Sequence, residues 1–360
     1  MDYLRLENNN KQYFIKNNLI GLRFDCLIFD IDGVLIDVKK SYNEAIKKTV
    51  YFILEQFEQK NKFKNVVTND IILKFRKSGG FNNDVDTSYV ILAVLLSLPD
   101  NTNSLYAKEF LYIVANNADK RGIKSVEEFL LKYYLKQNKI MSSKLEKLLK
   151  ILNYPSLDNN VHDSVISRVF DEYFYGYELF EKRYGYRSKY YFGKPLIDND
   201  KIIIRQNIGN ILYNKFQKNI GIISGRSKIA AIYSLGEKIS IFNEKACIFL
   251  EDKDRRYAKP STYGIKKVID NTINQQNKNN NKKINIIYFG DSMEDLLMVN
   301  MHNKKFNKKK DERRKIWIYF CGVYGSSSNP EELIHKFIEK KADIIINSVN
   351  DVPYILNKVS

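Results

Sequence analysis

The apolar residues of the chain follow two patterns, and the change between them lies near residue 200. From about residue 41 to residue 191, they recur every three or four positions, as on one face of a helix. From residue 201 onward, short apolar runs alternate with helical segments, and one similar run stands earlier, at 25–30. Such alternation favours a parallel sheet that is wrapped by helices.

The strand signals are short apolar runs, and the helix signals are longer periodic segments. We predict strands at 25–30, 220–224, 247–250, 284–289, 316–320 and 343–346. We predict helices at about 41–57, 88–98, 105–117, 126–137, 143–152, 162–180, 202–217, 228–238, 262–273, 293–301, 331–340 and 350–357.

These elements predict an α/β protein whose parallel sheet is interrupted, after its first strand, by an all-helical insertion. We expect an N-terminal extension at 1–19, a core domain made of 20–38 and 195–360, and the insertion at 39–194. In sheets of this kind, ligands bind at the carboxyl ends of the strands. The strand ends are therefore the places to look for chemistry.

The chain is basic, with 59 Lys and Arg against 42 Asp and Glu and a net charge of +17. Two polar segments, 276–283 and 304–315, carry much of the excess. We interpret both as solvated surface loops, and we expect the first to be mobile. Binding of a nucleic acid by 304–315 is the alternative, but aromatic residues do not interleave with its basic ones.

The cysteine usage and the hydropathy bear on location. Cys26, Cys247 and Cys321 stand apart without C-x-x-C spacing, which argues against a disulfide framework and a zinc knuckle. No apolar run reaches the roughly 18 residues of a membrane-spanning helix. The first residues also lack the apolar stretch of a secretory signal. We therefore expect a cytoplasmic protein that has no membrane partner.

The first strand ends in two carboxylates, Asp30 and Asp32, followed by Gly33. Two acids at this spacing after an extended strand point the same way, and their repulsion is costly unless a cation neutralises it. Oxygen ligands suit a hard divalent ion, most naturally Mg²⁺. A simple strand-to-turn Asp-Gly pair is the alternative, whereas an EF-hand is excluded because Leu35 and Ser41 stand where it needs Gly and Glu.

The second strand ends in Ser224, Gly225 and Arg226. A hydroxyl at a strand end, followed by Gly, can bind a phosphoryl oxygen together with main-chain N–H groups. An ordinary Ser that caps the next helix is the alternative interpretation.

The next two strand ends add a cation and two further acids. Lys259 precedes a Pro and could neutralise a phosphate as a point charge. Asp291 and Asp295 follow the fourth strand, where Asp291 could bind a metal and Asp295 could support it. Ser292 and Asp295 also fit an S-x-x-D helix cap, which remains the alternative for this segment.

Together the four strand ends resemble the haloacid dehalogenase (HAD) superfamily. The resemblance rests on FDIDGVLID (29–37), IISGR (222–226), AKPS (258–261) and GDSMED (290–295). It implies a HAD-like Rossmannoid three-layer fold and makes the helical insertion a C1-type cap. The segments at 37–50 and 78–84 are similar to an archaeal and cyanobacterial phosphatase-like group of subfamily I.

The resemblance also implies roles for the individual residues. Asp30 would be the nucleophile that forms an aspartyl-phosphate, and Asp32 would be the general acid and base. Ser224 and Lys259 would hold the phosphoryl oxygens.

The same resemblance implies a Mg²⁺ site. Its ligands would be the Asp30 carboxylate, the main-chain carbonyl of Asp32 and Asp291, with Asp295 in or near the site. Gly33, Gly225 and Arg226 are further candidates for contacts with the phosphate.

The predicted cap holds the candidates for substrate recognition. Gly79, Gly80, Asn82 and Asn83 lie in a turn between helical segments and could close over a bound substrate. A Gly-Gly helix stop followed by Asx turns is the alternative.

We therefore predict a phosphatase acting on a small phosphorylated metabolite, such as a phosphoglycolate-like acid, a sugar phosphate or histidinol phosphate. A phosphomutase of the same superfamily and a basic protein that associates with nucleic acid remain open as alternatives.

Overall fold

The computed structural model describes residues 3–8, 10–81, 83–135, 164–276, 283–308 and 316–359. The chain divides into two compact units, one made of Met1–Val38 and Asp200–Ser360 and the other of Lys39–Asn199. The sequence prediction placed the second boundary a few residues earlier, at 194/195. The predicted helix at 143–152 lies outside the described residues.

The first unit contains an eight-stranded sheet of mostly parallel strands. Its strands are β1 (Tyr3–Asn8), β2 (Lys11–Lys16), β3 (Cys26–Phe29), β6 (Ile220–Ser224), β7 (Cys247–Phe249), β8 (Ile284–Gly290), β9 (Ile316–Val323) and β10 (Ile344–Ile346). Their order is β1-β2-β10-β9-β8-β3-β6-β7, and the six strands from β10 to β7 are parallel. The predicted α/β fold class is confirmed.

The N-terminal residues form part of this sheet. Strands β1 and β2 make an antiparallel hairpin, and β2 pairs antiparallel with β10. The sequence prediction set residues 1–19 apart as an extension and placed no strand there. The hairpin escaped notice because Asn and Lys interrupt its short apolar runs. The apolar residues of β2 are buried, because Tyr13 and Ile15 pack in the core on one face of the sheet and Phe14 packs in the core on the other.

Helices cover both faces of the sheet. They are α7 (Gln206–Phe216), α8 (Lys228–Leu235), α9 (Tyr263–Gln276), α10 (Met293–Lys308), α11 (Pro330–Glu339) and α12 (Val352–Val359). Successive side chains of a strand point to opposite faces. In β3, accordingly, Leu27 and Phe29 join the core under α7, α8 and α12, whereas Cys26 and Ile28 join the core under α9, α10 and α11. This is the predicted three-layer arrangement.

The first unit also contains a second, smaller sheet of two strands. It pairs β4 (Ile36–Asp37) antiparallel with β5 (Lys201–Ile202). The pairing brings the chain just after the first strand next to the chain that returns at residue 200. Neither strand was predicted, because two residues are too few to show a period.

The second unit is helical throughout its described residues. Its helices are α1 (Lys39–Gln56), α2 (Asn69–Lys77), α3 (Asp84–Ser97), α4 (Ser104–Asn117), α5 (Ile123–Leu135) and α6 (Val165–Tyr184), with a short 3₁₀ turn at Leu196–Asn199. Helix α2 was not predicted, although Thr68 caps it by accepting the N–H of Ile71. In the described part of the chain, no helix has the length and apolar character needed to cross a bilayer.

A buried carboxylate fixes the end of the second unit. Glu172 is fully buried and accepts main-chain N–H groups from Lys189, Tyr190 and Tyr191 at 2.5–2.9 Å. Nε of Arg168 lies 2.9 Å from its Oε1. These contacts satisfy the carboxylate and hold the returning chain against α6.

Candidate functional site

Three of the predicted site residues, Asp30, Ser224 and Asp291, lie at the carboxyl ends of three neighbouring strands, whereas Lys259 lies ten residues after the end of β7. Asp30 directly follows β3 and Asp291 directly follows β8, and these strands are paired through Phe29 and Phe289. The N–H of Asp30 donates to the carbonyl of Phe289 at 2.8 Å, which fixes the relative height of the two ends. Ser224 is the last residue of β6, the neighbour of β3 on its other side.

Lys259 joins two of the predicted acids. Its Nζ lies 2.7 Å from Oδ2 of Asp30 and 2.7 Å from Oδ1 of Asp295, and all three side chains are buried or nearly so. Burial would lower the pKa of Lys259, but the two carboxylates outweigh it and raise that pKa well above its usual value. Burial raises the pKa of Asp30 to about 7 although Lys259 opposes the shift. The ammonium group therefore stays charged beside the predicted nucleophile.

Asp295 is held by several donors. The hydroxyl of Tyr288 donates to its Oδ1 at 2.9 Å, and Oγ of Ser292 donates to its Oδ2 at 2.6 Å. The N–H of Asp295 donates in turn to Oγ of Ser292, so the serine half of the predicted S-x-x-D cap forms at the start of α10. The cap and the contact with Lys259 thus coexist. Asp295 thereby helps to hold the ammonium group of Lys259 in place.

Three carboxylates could share a cation. Oxygens of Asp30, Asp291 and Asp295 lie within 4.8 Å of one another. Burial, followed by the neighbouring charges of Asp30 and Asp295, raises the pKa of Asp291 well above its usual value, although Lys259 opposes the shift. The ionised form of Asp291 is therefore disfavoured. A hard cation with oxygen ligands would compensate its negative charge, so the donor set fits Mg²⁺.

Gly33 makes room for this cluster. Its φ of +77° lies in the left-handed region, and a Cβ at this position would overlap Oδ2 of Asp291. Only glycine avoids both the strain and the overlap. The absence of a side chain at Gly33 therefore lets the main chain of the turn approach the carboxylate of Asp291.

Asp32 lies in a separate ion pair. Nε of Arg226 is 2.9 Å from Oδ1 of Asp32, and Nη1 of Arg226 is 2.7 Å from Oδ2 of Asp200. Burial raises the pKa of Asp32, and Arg226 opposes that shift. Oγ of Ser234 links Arg226 to Asp200, because it accepts from Nη1 of Arg226 and donates to Oδ2 of Asp200.

This pairing gives Arg226 partners within the protein, and its predicted contact with the phosphate stays a prediction. The guanidinium is engaged by two carboxylates and a hydroxyl, and its side chain is 0% exposed. Oγ of Ser224 is also buried and accepts the N–H of Arg226 at 3.2 Å. A Cβ at Gly225, by contrast, would meet nothing within 4 Å. The roles of Ser224 and Gly225 toward a phosphate stay predictions.

The predicted substrate loop serves local packing in the second unit. Asn83 caps α3, since its Oδ1 accepts the N–H of Val85 at 2.8 Å. A Cβ at Gly80 would overlap the main chain of Asp119 and Gly122. Gly79 has a φ of +78° with open space around it. These contacts fit the interpretation as a helix stop with an Asx turn, and the role in substrate binding stays a prediction.

Several other features of the sequence lie outside the residues that the structure describes. Asn82, His162, residues 277–282 and residues 309–315 lie outside the described residues, so the expectations for the two basic loops stay untested. His335 is exposed. His302 is buried on α10, and burial lowers its pKa to about 4.

Sequence reasoning missed three partners of the site: Asp200, Ser234 and Tyr288. Asp200 and Ser234 lie far from Asp32 along the chain and follow no motif. Tyr288 lies inside an apolar strand, where an aromatic residue is normally interpreted as part of the hydrophobic core.

Comparison with known proteins supports the fold. No protein-family model matches the chain, and no curated protein matches it. A crystal structure from the Northeast Structural Genomics Consortium, target ZR25, is similar with a TM-score of 0.61 at 16% identity, covering 93% of this chain and 98% of that one. At that identity the likeness shows a shared fold.

Two further solved structures match less closely. Phosphatase Tt82 from Thermococcus thioreducens has a TM-score of 0.49 at 19% identity, covering 81% of this chain and 91% of its own. A Bacteroides fragilis protein described as a haloacid dehalogenase-like hydrolase has a TM-score of 0.45 at 14% identity, covering 92% of this chain and 100% of its own.

Proposed function

We propose that the protein is a phosphatase of the HAD superfamily that hydrolyses a phosphate monoester through a covalent phosphate on Asp30. The pair of Asp30 and Lys259 carries the proposal. A carboxylate oxygen held 2.7 Å from a buried ammonium group, at the carboxyl end of a parallel strand, suits attack on an anionic phosphorus centre. The motif set at the other strand ends supports the same assignment.

Two displacements at phosphorus complete the reaction. In the first, an oxygen of Asp30 forms a bond to phosphorus, the bond to the ester oxygen breaks, and Asp32 protonates the leaving oxygen. In the second, a water oxygen attacks phosphorus while Asp32 takes its proton. The bond from phosphorus to Asp30 breaks, and inorganic phosphate leaves.

Charge compensation makes these steps feasible. Lys259 would neutralise part of the charge on the phosphoryl oxygens, and Asp295 holds it in place. Asp30, Asp291 and the main-chain carbonyl of Asp32 would hold Mg²⁺, which when bound offsets the repulsion between an anionic nucleophile and an anionic phosphate.

The substrate we propose is a small phosphorylated metabolite: a phosphoglycolate-like acid, a sugar phosphate or histidinol phosphate. A phosphomutase would use the same Asp30 and Asp32 but would return the phosphate to the substrate. Its product would be an isomeric phosphate ester rather than free phosphate. We also propose a cytoplasmic location, in keeping with the free thiols of Cys26, Cys247 and Cys321.

The test is phosphate release from a panel of small phosphate esters, with and without Mg²⁺, for the wild type and Asp30→Asn. The proposal expects release that depends on Mg²⁺ and disappears in Asp30→Asn, with the folded state checked by circular dichroism. An isomeric ester without free phosphate would identify a mutase instead. A folded wild type that converts no ester would overturn the proposal.

A further inference from the structure

A buried arginine lies between two carboxylates at the edge of the proposed site. Nε of Arg226 contacts Asp32 at 2.9 Å, and Nη1 contacts Asp200 at 2.7 Å. The side chain of Arg226 is 0% exposed and that of Asp200 is 4% exposed, whereas that of Asp32 is 29% exposed. Among these three side chains, Asp32 is therefore the one whose carboxylate is partly exposed to solvent.

We propose that Arg226, together with Asp200 and Ser234, positions Asp32 for proton transfer. Arg226 is then a positioning residue, and no contact between it and the phosphate is required. This inference rests on the proposed function, because it assigns a support to the residue that would serve as general acid and base.

The contacts fix the guanidinium on its buried side. Oγ of Ser234 accepts from Nη1 of Arg226 at 2.7 Å and donates to Oδ2 of Asp200 at 2.8 Å, so the three groups form a closed triangle. A planar guanidinium that is held at one end keeps its remaining nitrogens in fixed places. The place of Nε, 2.9 Å from Oδ1 of Asp32, is thus decided by groups that lie away from the proposed reaction centre.

The main chain fixes each member of the triangle. Arg226 lies between β6 and α8, and Ser234 lies on α8. Asp200 directly precedes β5, which pairs with β4, and β4 lies shortly after Asp32. The small two-stranded sheet therefore sets the distance between Asp200 and the turn that carries Asp32.

A double-mutant cycle tests the inference. Arg226→Lys keeps the charge but loses the planar fork, and Asp200→Asn keeps the size but loses the charge. Each change is made in the wild type and in Asp32→Asn. With p-nitrophenyl phosphate, the burst of p-nitrophenolate reports formation of the covalent phosphate. The later steady rate reports its hydrolysis, which needs Asp32 as base.

We expect each change to lower the steady rate of the wild type by about 10-fold or more while the burst amplitude is kept. In Asp32→Asn, the same change should lower that rate by less than about 2-fold, since the group it positions is already gone. Equal losses in both backgrounds would overturn the inference. If Arg226→Lys does not fold, Asp200→Asn alone decides.

Asp343→Asn is the matched control. Asp343 precedes β10, which lies three strands away from β3 in the sheet, and it pairs with Lys16 at 2.8 Å. We expect this change to leave the burst amplitude and the steady rate unaltered in both backgrounds. A wild type that releases no phosphate from any ester overturns the proposed function. An active wild type with additive losses overturns only the role of Arg226.

Discussion

Lys259 lies with its ammonium nitrogen 2.7 Å from Oδ2 of Asp30, the proposed nucleophile. Burial raises the pKa of Asp30 to about 7, which would leave part of the carboxyl groups protonated at neutral pH. Lys259 opposes that shift and, being charged itself, favours the ionised carboxylate. The same ammonium group is in place to receive the charge of an incoming phosphate.

Replacement of this lysine tests that double role. We expect Lys259→Met to lower kcat/KM for the best ester by about 10²- to 10³-fold, because a charged donor to the transition state is lost. Steady-state kinetics measure the effect. Lys267→Met, at an exposed lysine on α9, is the control and should keep the wild-type value. A Lys259→Met enzyme of normal kcat/KM would contradict the role.

Metal binding can be measured without turnover. If Asp291 is a ligand, Mg²⁺ at 100 times its Kd should stabilise the wild type by about 2.7 kcal/mol and raise its Tm accordingly. Asp291→Asn should lose most of this rise, whereas Asp343→Asn should keep it. Differential scanning fluorimetry at several Mg²⁺ concentrations gives both numbers. An unchanged rise in Asp291→Asn would remove this residue from the site.

A comparison of two glycine-to-alanine changes distinguishes the effect of backbone strain from that of steric overlap with a site residue. Gly33 and Gly21 both have a positive φ, +77° and +81°, but a Cβ at Gly21 meets nothing within 4 Å whereas one at Gly33 overlaps Asp291. Each change to Ala should cost about 1–2 kcal/mol of stability from the left-handed backbone. Only Gly33→Ala should also lower the Mg²⁺-dependent rate, by about 100-fold, since it displaces a ligand. Equal rates in the two folded variants would argue against a precise fit at Gly33.

His302 should make stability depend on pH. Burial, and secondarily Lys266, lowers its pKa from 6.5 to about 4. Below pH 6.5 the unfolded chain binds a proton that the folded chain does not, so this contribution is complete above pH 6.5 and is lost as the pH falls toward 4. Between about pH 7.5 and pH 5 the loss should be about 2 kcal/mol.

Urea unfolding at the two pH values measures this loss. His302→Gln lacks the titrating group, so its free energy of unfolding should fall less than that of the wild type over the same range. Parallel pH dependences in the two proteins would show that His302 does not titrate differently on folding.

Much of the fold followed from local signals. The strands at 220–224, 247–250 and 284–289 were predicted to within a residue of β6, β7 and β8, because fully buried strands are continuous apolar runs. The hairpin β1–β2 and the pair β4–β5 were missed. Their stability comes from partners that are distant in sequence, and two to six residues carry too little pattern to show it.

The same distinction between local signals and distant partners applies to the candidate site. The sequence determined which residue types follow the strand ends, namely Asp30 and Asp32, Ser224, and Asp291 with Asp295, and it singled out Lys259. Only the tertiary structure decided how they pair, with Lys259 beside Asp30 and Asp295 and with Arg226 beside Asp32 and Asp200. The physical reason is that a periodic pattern reports burial along one element, whereas ion pairs depend on distances between elements that the sheet and its crossovers set.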